Sequence, residues 1–287
     1  MSNKIKFNLI SLVKSSLFFS AIRKIKYRYK RKELSKQEQL SLEAMRFILT
    51  NDLKIKEGDS VFVHCGFGFL NAKFTPLELV ELLKSIVGRN GNIMMPFYPP
   101  GLSSNWAKSG RVFDSAKVRC STGILAQKFS KAKTVISLHP TKAVAAWGNK
   151  ASVLVADHEK SIYPYGKATP YYKFSCLPNS KSIGLGVTNC AMIHCAEDVY
   201  EKNKSYLYTK EPVSLKVKSS AGNVDVDTFI HHGKIKLCTS SEFLSQHSDQ
   251  SKNYKVINNV PFYSIDNHDL LKTCKKLFEL GINRKCL

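Results

Sequence analysis

The spacing of apolar residues changes along the chain from a helical to a strand period. Between residues 35 and 51 apolar side chains recur every three or four positions, which predicts an amphipathic helix. Ser35, with Glu38 three positions later, has the form of a capping box at its start. Residues 60–64 (SVFVH) form a short apolar run that predicts a buried strand, followed by the loop 65–69 (CGFGF). A helix is therefore expected to precede the first strand.

The alternation of helices and strands continues through most of the chain. Thr75 and Pro76 open a predicted helix that runs to residue 87, and Gly91 leads into a strand at 93–95. Further helices are predicted at 122–130, 149–155, 191–201 and 270–280, and further strands at 134–138, 181–187, 214–217 and 224–230. This order predicts an α/β fold, a three-layer α/β/α sandwich with a mostly parallel central sheet and antiparallel strands toward the C-terminus.

The first 36 residues differ from the rest in charge. They hold eleven Lys or Arg residues against one acid, Glu33, and so carry ten of the 22 net positive charges of the chain. Apolar residues lie between these cations, which is typical of a basic amphipathic helix on an anionic membrane surface. We predict a basic N-terminal helix at residues 1–34 and one domain at 35–287. The alternative is that the helix packs on its own domain or on a second subunit, which would make an oligomer.

Composition limits the classes of protein that remain. A chain of 287 residues with 43% hydrophobic and 23% charged residues is typical of a soluble globular protein. Its eight cysteines form no C-x-x-C pair, so we expect free thiols in a cytoplasmic protein, and no metal site. The net charge of +22 indicates an anionic partner, but no helix-turn-helix, zinc finger or aromatic RNA-binding motif accompanies it. A nucleic-acid binder is therefore a remote alternative.

One helix carries a candidate catalytic pair. His194 and Glu197 are three residues apart in the helix predicted at 191–201 and so share a face, with Asp198 one position further on. A carboxylate beside an imidazole fixes its tautomer and raises its basicity, as a general base requires. The alternative is an exposed surface pair without a catalytic role.

Two further segments have features of a binding site. His139 directly follows the strand predicted at 134–138, and open α/β sheets bind ligands at this end of their strands. A buried histidine that bonds within the protein is the alternative. Ser121, Thr122 and Gly123 open a helix whose free N–H groups suit a phosphate or an amide, although they can equally be a simple helix cap.

Five segments occur together in an order that points to a known family. They are 57–70 (EGDSVFVHCGFGFL), 91–98 (GNIMMPFY), 120–148 (CSTGILAQKFSKAKTVISLHPTKAVAAWG), 157–170 (DHEKSIYPYGKATP) and 181–198 (KSIGLGVTNCAMIHCAED). Together they resemble the aminoglycoside 3-N-acetyltransferase family over roughly residues 35–240. The resemblance implies an N-acetyltransferase that uses acetyl-CoA, with the histidine of the H-x-A-E motif, His194, as the catalytic base and Glu197 behind it.

The resemblance also implies which residues contact the substrates. The residues expected at the coenzyme are His64, Cys65, Ser121, Thr122, Gly123, His139, Thr141 and Lys142. Asp157 and His158 are expected at the acceptor substrate. Two positions depart from the family pattern: Lys142 stands where members commonly have a histidine, and Cys65 stands in a loop that usually contains serine. Cys65 could act as an acyl-accepting nucleophile if a nearby base or helix terminus lowered its pKa.

The charge of the chain bears on the acceptor. Aminoglycosides are polycations, and without its first 36 residues the chain still carries 12 net positive charges, which would repel them. We therefore predict N-acetylation of an amino sugar linked to a nucleotide or lipid diphosphate, as in surface-polysaccharide synthesis. Such an enzyme would be cytoplasmic, with peripheral contact to the inner face of the membrane through residues 1–34. The alternative is a true aminoglycoside 3-N-acetyltransferase that confers antibiotic resistance.

Overall fold

The structure is a computed structural model that describes residues 32–34, 36–231, 237–247 and 252–285. Its strands are β1 (Ser60–Cys65), β2 (Asn92–Pro96), β3 (Val135–Ile136), β4 (Val144–Gly148), β5 (Ser180–Leu185), β6 (Val213–Ser219), β7 (Gly222–Thr228), β8 (Lys252–Ile257) and β9 (Val260–Asp266). Its α-helices are α1 (Leu42–Phe47), α2 (Pro76–Val87), α3 (Ser103–Lys108), α4 (Ile124–Phe129), α5 (Ala151–Val155), α6 (Pro170–Ser175), α7 (Met192–Tyr200), α8 (Ser240–His247) and α9 (Asn267–Glu279).

Seven strands form one sheet in the order β3-β4-β2-β1-β5-β9-β8, and β6 pairs with β7 in a separate hairpin. The three central strands are parallel: β1 pairs with β2 from Ser60↔Asn92 and with β5 from Ser60↔Ser180. The outer pairs β2–β4, β3–β4, β5–β9 and β8–β9 are antiparallel. The predicted α/β fold is confirmed. Antiparallel pairing also occurs in mid-chain, at β3 and β4.

The central strands are buried on both faces, which accounts for their uninterrupted apolar runs. Val61 and Val63 of β1 pack into one hydrophobic core, together with α2 and α4. Phe62, between them, points to the opposite face and packs into a second core with α6, α7 and α9. Successive side chains of a strand alternate between its faces, so one short run of sequence supplies both cores. The three predicted layers are present.

The first helix begins later than the sequence pattern indicates. Its N-cap is Ser41, whose hydroxyl accepts the N–H of Ala44, and a π-helical turn at Ile48–Asp52 follows α1. The predicted capping box of Ser35 and Glu38 is therefore wrong, because Glu38 lies before the helix. A true capping box is formed by Thr75 and Glu78 at the start of α2.

The N-terminal segment predicted to lie on a membrane falls outside the described residues, except for 32–34. Within the described part of the chain, no helix is long and apolar enough to cross a membrane. The seven cysteines described there all carry free thiols, as predicted.

The carboxyl ends of the parallel strands meet at one edge of the sheet, which places several loops side by side. β1 ends at His64 and Cys65, and β5 is followed by a loop that leads into α7 at Ala191. Tyr263 of the neighbouring strand β9 donates its hydroxyl to the carbonyl of Asn189 in that loop. The helix that carries His194 is thereby held above the ends of β1 and β5.

Candidate active site

A cavity of about 380 Å³, which we call the main cavity, lies at the carboxyl ends of the parallel strands. Five residues predicted from the sequence to be functional line it: His64, Cys65, Thr122, Lys142 and His194. They come from separate segments of the chain, which only the fold brings together. Among the described residues, no Asp or Glu side chain lines this cavity.

His194 lies against a buried ion pair. Its Nδ1 is 2.9 Å from Glu197 Oε2, and Glu197 is in turn held by Arg284, with Nε 2.7 Å from Oε1 and Nη2 2.9 Å from Oε2. The side chains of Glu197 and Arg284 are 1% and 6% exposed, whereas that of His194 is 27% exposed. The His194–Glu197 pair is therefore not the exposed surface pair considered as the alternative.

The hydrogen bonds determine which nitrogen of His194 carries the proton. Burial favours a protonated Glu197, but the hydrogen bonds and charges of His194 and Arg284 outweigh it and lower the pKa of this carboxyl. Glu197 is thus an anion that accepts a hydrogen bond from the protonated Nδ1 of His194. Arg284 Nη2, 3.2 Å from Nδ1, then bonds to Glu197 rather than to the ring. The Nε2 lone pair is left free to accept a proton.

Burial also lowers the pKa of His194, while the hydrogen bond to Glu197 opposes the shift and the charge of Arg284 adds to it. The imidazole is consequently neutral at pH 7, the form that a general base requires. The ring stacks on Tyr165 with centroids 5.0 Å apart and lies 5.2 Å from the ring of His231. These contacts fix the ring plane at the wall of the cavity.

A chain of tyrosine hydroxyls borders the same wall. Tyr171 donates its hydroxyl to the carbonyl of Lys142 at 3.0 Å, so Tyr98, 2.9 Å away, must donate to Tyr171. Tyr165 lies 3.4 Å from Tyr98 and completes the series. Lys142 Nζ stands 4.6 Å above the ring of Tyr98, and burial lowers the pKa of Lys142 to about 8. A cation of reduced pKa therefore faces the same cavity as His194.

His64 and Cys65 reach the cavity from the end of β1. His64 Nε2 accepts the N–H of Ala191 at 3.1 Å, which ties β1 to the start of α7. Burial lowers the pKa of His64 to about 4, with the Ile183 backbone opposing the shift, so the ring stays neutral. Burial raises the pKa of the Cys65 thiol. Since the thiolate is the nucleophile, the structure argues against an acyl-cysteine intermediate.

Ser121, Thr122 and Gly123 lie at the cavities, and the hydroxyls of Ser121 and Thr122 are hydrogen-bonded within the protein. Ser121 Oγ donates to the Tyr98 and Pro99 carbonyls, and Thr122 Oγ1 donates to the Pro96 carbonyl. Thr122 lines the main cavity, whereas Ser121 and Gly123 line an adjoining one of about 360 Å³. Gly123 has a φ of +110°, and a Cβ there would come within 3.3 Å of the Cys65 carbonyl. These residues shape the wall, and their contact with the coenzyme stays a prediction.

His139 supports a loop and does not face the cavity. It is fully buried, with Nδ1 accepting the N–H groups of Thr141 and Lys142 and with Nε2 3.2 Å from Thr228 Oγ1. Burial lowers the pKa of His139 well below its usual value. Both ring nitrogens are engaged within the protein, where His139 supports the loop at Thr141 and Lys142, and its contact with the coenzyme stays a prediction. Thr141 is also buried, and with Lys142 it lines a third cavity, of about 290 Å³.

Asp157 and His158, predicted at the acceptor substrate, do not line the main cavity. Asp157 is a surface residue that pairs with Lys160 at 2.7 Å. His158 is fully buried, with Nδ1 2.8 Å from Ser137 Oγ and Nε2 3.1 Å from the Pro164 carbonyl. The structure places one side chain at the solvent and encloses the other in protein, and their contact with the acceptor stays a prediction.

The profile of the family described as aminoglycoside 3-N-acetyltransferase matches residues 62–279, about three quarters of the chain. The chain belongs to the aminoglycoside 3-N-acetyltransferase family. It is accordingly an acyltransferase with acetyl-CoA as the acetyl donor. Comparison with curated protein sequences finds no significant match.

Solved structures with the same fold include three aminoglycoside acetyltransferases. Aminoglycoside acetyltransferase AAC(3)-Xa is 15% identical with a TM-score of 0.72, covering 91% of this chain and 100% of the other. AAC-IIIb in a binary complex with CoASH is 17% identical with a TM-score of 0.69, covering 87% and 100%. A mutant of AAC(3)-IVa in complex with a gentamicin is 20% identical with a TM-score of 0.68, covering 85% and 90%.

The residues of this acetyltransferase fit a bound acetyl-CoA. The main cavity adjoins the cavity of about 290 Å³ through Tyr98, Lys142 and His231, which line both. Together the two cavities provide a volume beside His194 in which the pantetheine arm would lie. Lys142 supplies a cation beside it. Within the described part of the chain, no group of three or more His, Cys, Asp and Glu side chains has the arrangement of a metal site.

Several site residues were not identified from the sequence. Arg284 is 87 residues from Glu197, and nothing in its local sequence marks it. His231 and Tyr165 line the cavity but carry no recognisable spacing.

Asp198 shares the helix with His194, yet its carboxylate accepts the Tyr208 hydroxyl at 2.6 Å and the Tyr165 N–H at 2.9 Å. Burial raises the pKa of Asp198 to about 7. Its carboxylate positions Tyr165, whose ring stacks on His194.

Proposed function

We propose that this enzyme transfers the acetyl group of acetyl-CoA to an amine on an amino sugar that is linked to a nucleotide or lipid diphosphate, as in surface-polysaccharide synthesis. The observation that carries the proposal is the composition of the main cavity. The neutral base His194 and the cation Lys142 both line it, with no carboxylate among the described residues that do so. Such a cavity favours an amine whose remaining substituents are neutral or anionic.

The proton is taken by His194. When bound, acetyl-CoA would supply the acetyl group as a thioester. The acceptor amine forms the new carbon–nitrogen bond, the carbon–sulfur bond breaks, and coenzyme A leaves as a thiolate that takes up a proton to become the free thiol. His194 Nε2 accepts the proton that the amine must lose, and Glu197 and Arg284 hold the ring with Nδ1 protonated. The positive charge that develops on the imidazole lies against the Glu197 carboxylate. The side chain of His194 is only 27% exposed, which limits the access of water to the base.

Lys142 acts as a fixed positive charge in this scheme. Its pKa of about 8 leaves most molecules protonated at pH 7, so it can face the oxyanion that forms on the thioester carbonyl or a phosphate oxygen nearby. It also lowers the pKa of His194, as a secondary electrostatic effect. A polycationic acceptor would meet this charge in a cavity that no described Asp or Glu side chain lines.

A true aminoglycoside 3-N-acetyltransferase is the second candidate. It is favoured by the solved structures with the same fold, one of which is named as a complex with a gentamicin and another as sisomicin-bound AAC-VIa. An acceptor larger than the main cavity would extend beyond it, where it could contact acidic side chains. The two candidates differ in the charge of the preferred acceptor.

A comparison of acceptors tests the proposal. Full-length protein is incubated with acetyl-CoA and, separately, a uridine-diphosphate-linked amino sugar, the same amino sugar without its nucleotide, and gentamicin. Product is measured by mass spectrometry as the gain of one acetyl group, because the protein's own eight cysteines would react with a thiol reagent. We expect kcat/KM for the nucleotide-linked amino sugar to exceed both others by about tenfold or more, a difference worth about 1.4 kcal/mol.

The His194→Ala variant is the control for background transfer. Gentamicin as the preferred acceptor would refute the proposal and establish the second candidate. Equal rates for the amino sugar with and without its nucleotide would also count against it, because the diphosphate would then contribute no binding.

A further inference from the structure

A second cavity, of about 580 Å³, lies next to the active site and is rich in cations. We call it the basic cavity. It is lined by Pro100, Trp106, Arg111, Val112, Asp114, Lys117, Val118, Arg119, Lys218 and Asn223. Most of these residues belong to the segment between α3 and α4. Four cationic side chains and one acidic side chain therefore line the basic cavity, and none of them has a role in the proposed transfer of the acetyl group.

The single acid is already neutralised. Asp114 pairs with Lys218 at 3.5 Å. Burial opposes ionisation of Asp114, but the Ala116 N–H, Lys218 and Lys117 outweigh it and lower the pKa of this carboxyl. In the described parts of the chain, no carboxylate lies within 4.0 Å of Arg111, Lys117 or Arg119. Three positive charges thus line the same concave space, and none of them forms a salt bridge with a described carboxylate.

Trp106 gives the basic cavity a rigid side. The residue is only 5% exposed, and the guanidinium of Arg111 lies 5.8 Å from its ring centroid. Its indole Nε1 is buried and has no hydrogen-bond partner among the described residues. An unpaired buried donor costs free energy that an acceptor would offset. Stacking on the indole restrains Arg111, which reduces the entropy lost when its guanidinium binds an anion.

The basic cavity adjoins the cavities beside the active site, with which it shares lining residues. Trp106 also lines the cavity of about 290 Å³, which reaches the main cavity through Lys142 and His231. Arg119 also lines the cavity of about 360 Å³ beside Ser121. A ligand whose reacting group lies at His194 can therefore extend into the basic cavity. A concave site of this size suits a small phosphorylated molecule better than it suits an extended polyanion such as a nucleic acid.

We propose that the basic cavity binds the phosphate or diphosphate group of a substrate whose reacting end lies at His194. This inference rests on the proposed function, because it identifies the residues that would recognise a phosphorylated substrate. A guanidinium group can donate two parallel N–H hydrogen bonds to two oxygens of one phosphate, and Lys117 adds a point charge. Two sources offer this chemistry: the diphosphate of a nucleotide-linked acceptor and the phosphates of the acetyl-CoA donor.

Binding of inorganic pyrophosphate tests the site without any turnover. The affinity is measured by calorimetry for the full-length protein, for Lys117→Gln/Arg119→Gln, and for the matched control Arg89→Gln/Lys131→Gln. The control removes the same two charges outside the basic cavity. Exposed substitutions of this kind change folding stability little. We expect the dissociation constant to rise by about tenfold or more in the first variant, and to stay within about twofold of wild type in the control.

Kinetics identify the source of the phosphate. In Lys117→Gln/Arg119→Gln, a raised KM for the nucleotide-linked amino sugar with an unchanged KM for acetyl-CoA assigns the basic cavity to the acceptor. The reverse pattern assigns it to the donor, and either pattern supports the proposal. Equal loss of pyrophosphate binding in both double variants, or no loss in either, would overturn it. Selective loss in the first variant without acetylation of any phosphorylated acceptor would keep the basic cavity and refute the proposed function instead.

Discussion

Arg284 offers the sharpest test of how the active site is built. It makes two charge-assisted hydrogen bonds to Glu197, at 2.7 and 2.9 Å, and both side chains are more than nine-tenths buried. Arg284→Met keeps a long apolar side chain but removes the charged partner of the Glu197 carboxylate, which keeps the hydrogen bond from the neutral ring of His194. Breaking a buried ion pair from one side costs about 3–5 kcal/mol, because the other charge stays desolvated. We expect the free energy of unfolding at pH 7 to fall by that amount.

The pH dependence of this loss follows from the pKa of Glu197. Its folded pKa lies below the ordinary value of 4.5, so its pairing stabilises the protein above pH 4.5 and this contribution is lost as pH falls through the folded pKa. The deficit of Arg284→Met should therefore be complete near neutral pH and shrink at lower pH. Urea unfolding at several pH values measures it, with the exposed Arg89→Met as the matched control.

The same substitution should alter catalysis in a definite direction. Arg284 lowers the pKa of His194 by its charge, so its removal raises that pKa. In the wild type the acidic limb of kcat/KM should lie below the ordinary histidine pKa of 6.5, and in Arg284→Met it should move to higher pH. Unfolding free energies within about 0.5 kcal/mol of the control, together with an unmoved acidic limb, would refute this account of the Arg284–Glu197–His194 arrangement.

Three other predictions concern the base, the thiol and the N-terminus. His194→Ala should reduce kcat by about a hundredfold or more in a folded protein, and Glu197→Gln should reduce it less, because Glu197 orients the ring without transferring the proton. Steady-state kinetics measure both values, and full turnover in either variant would contradict these roles. Cys65→Ser should retain most activity with sequential initial-rate patterns, since burial keeps the thiol protonated, whereas an acetyl adduct on Cys65 after mixing with acetyl-CoA alone would contradict this. Deletion of residues 2–32 should abolish binding to anionic vesicles in co-sedimentation yet leave acetyl transfer nearly unchanged, and equal pelleting of the full-length and truncated forms would exclude a membrane anchor.

The sequence alone determined the features that depend on local spacing. The period of apolar residues predicted the helices and strands around the active site, because a strand buried on both faces must be apolar throughout and a packed helix must be apolar on one side. The separation of three residues placed His194 and Glu197 on one helical face, and the structure shows their 2.9 Å contact. Both results need only the geometry of a single element.

The identity of the remaining site residues was decided by the tertiary structure. His139 and His158 stand in motifs as suggestive as that of His194, yet both are enclosed by protein, because the direction of a side chain depends on the elements packed around it. Arg284 has no local signal, since its partner Glu197 is 87 residues away and the two meet only when the chain end packs beside α7. The basic cavity likewise forms where the segment before α4 meets β6 and β7, which bring Lys218 and Asn223 to Arg111, Lys117 and Arg119. Residue types and spacing specify what chemistry a chain can offer, but packing over long sequence separations decides which side chains share a cavity.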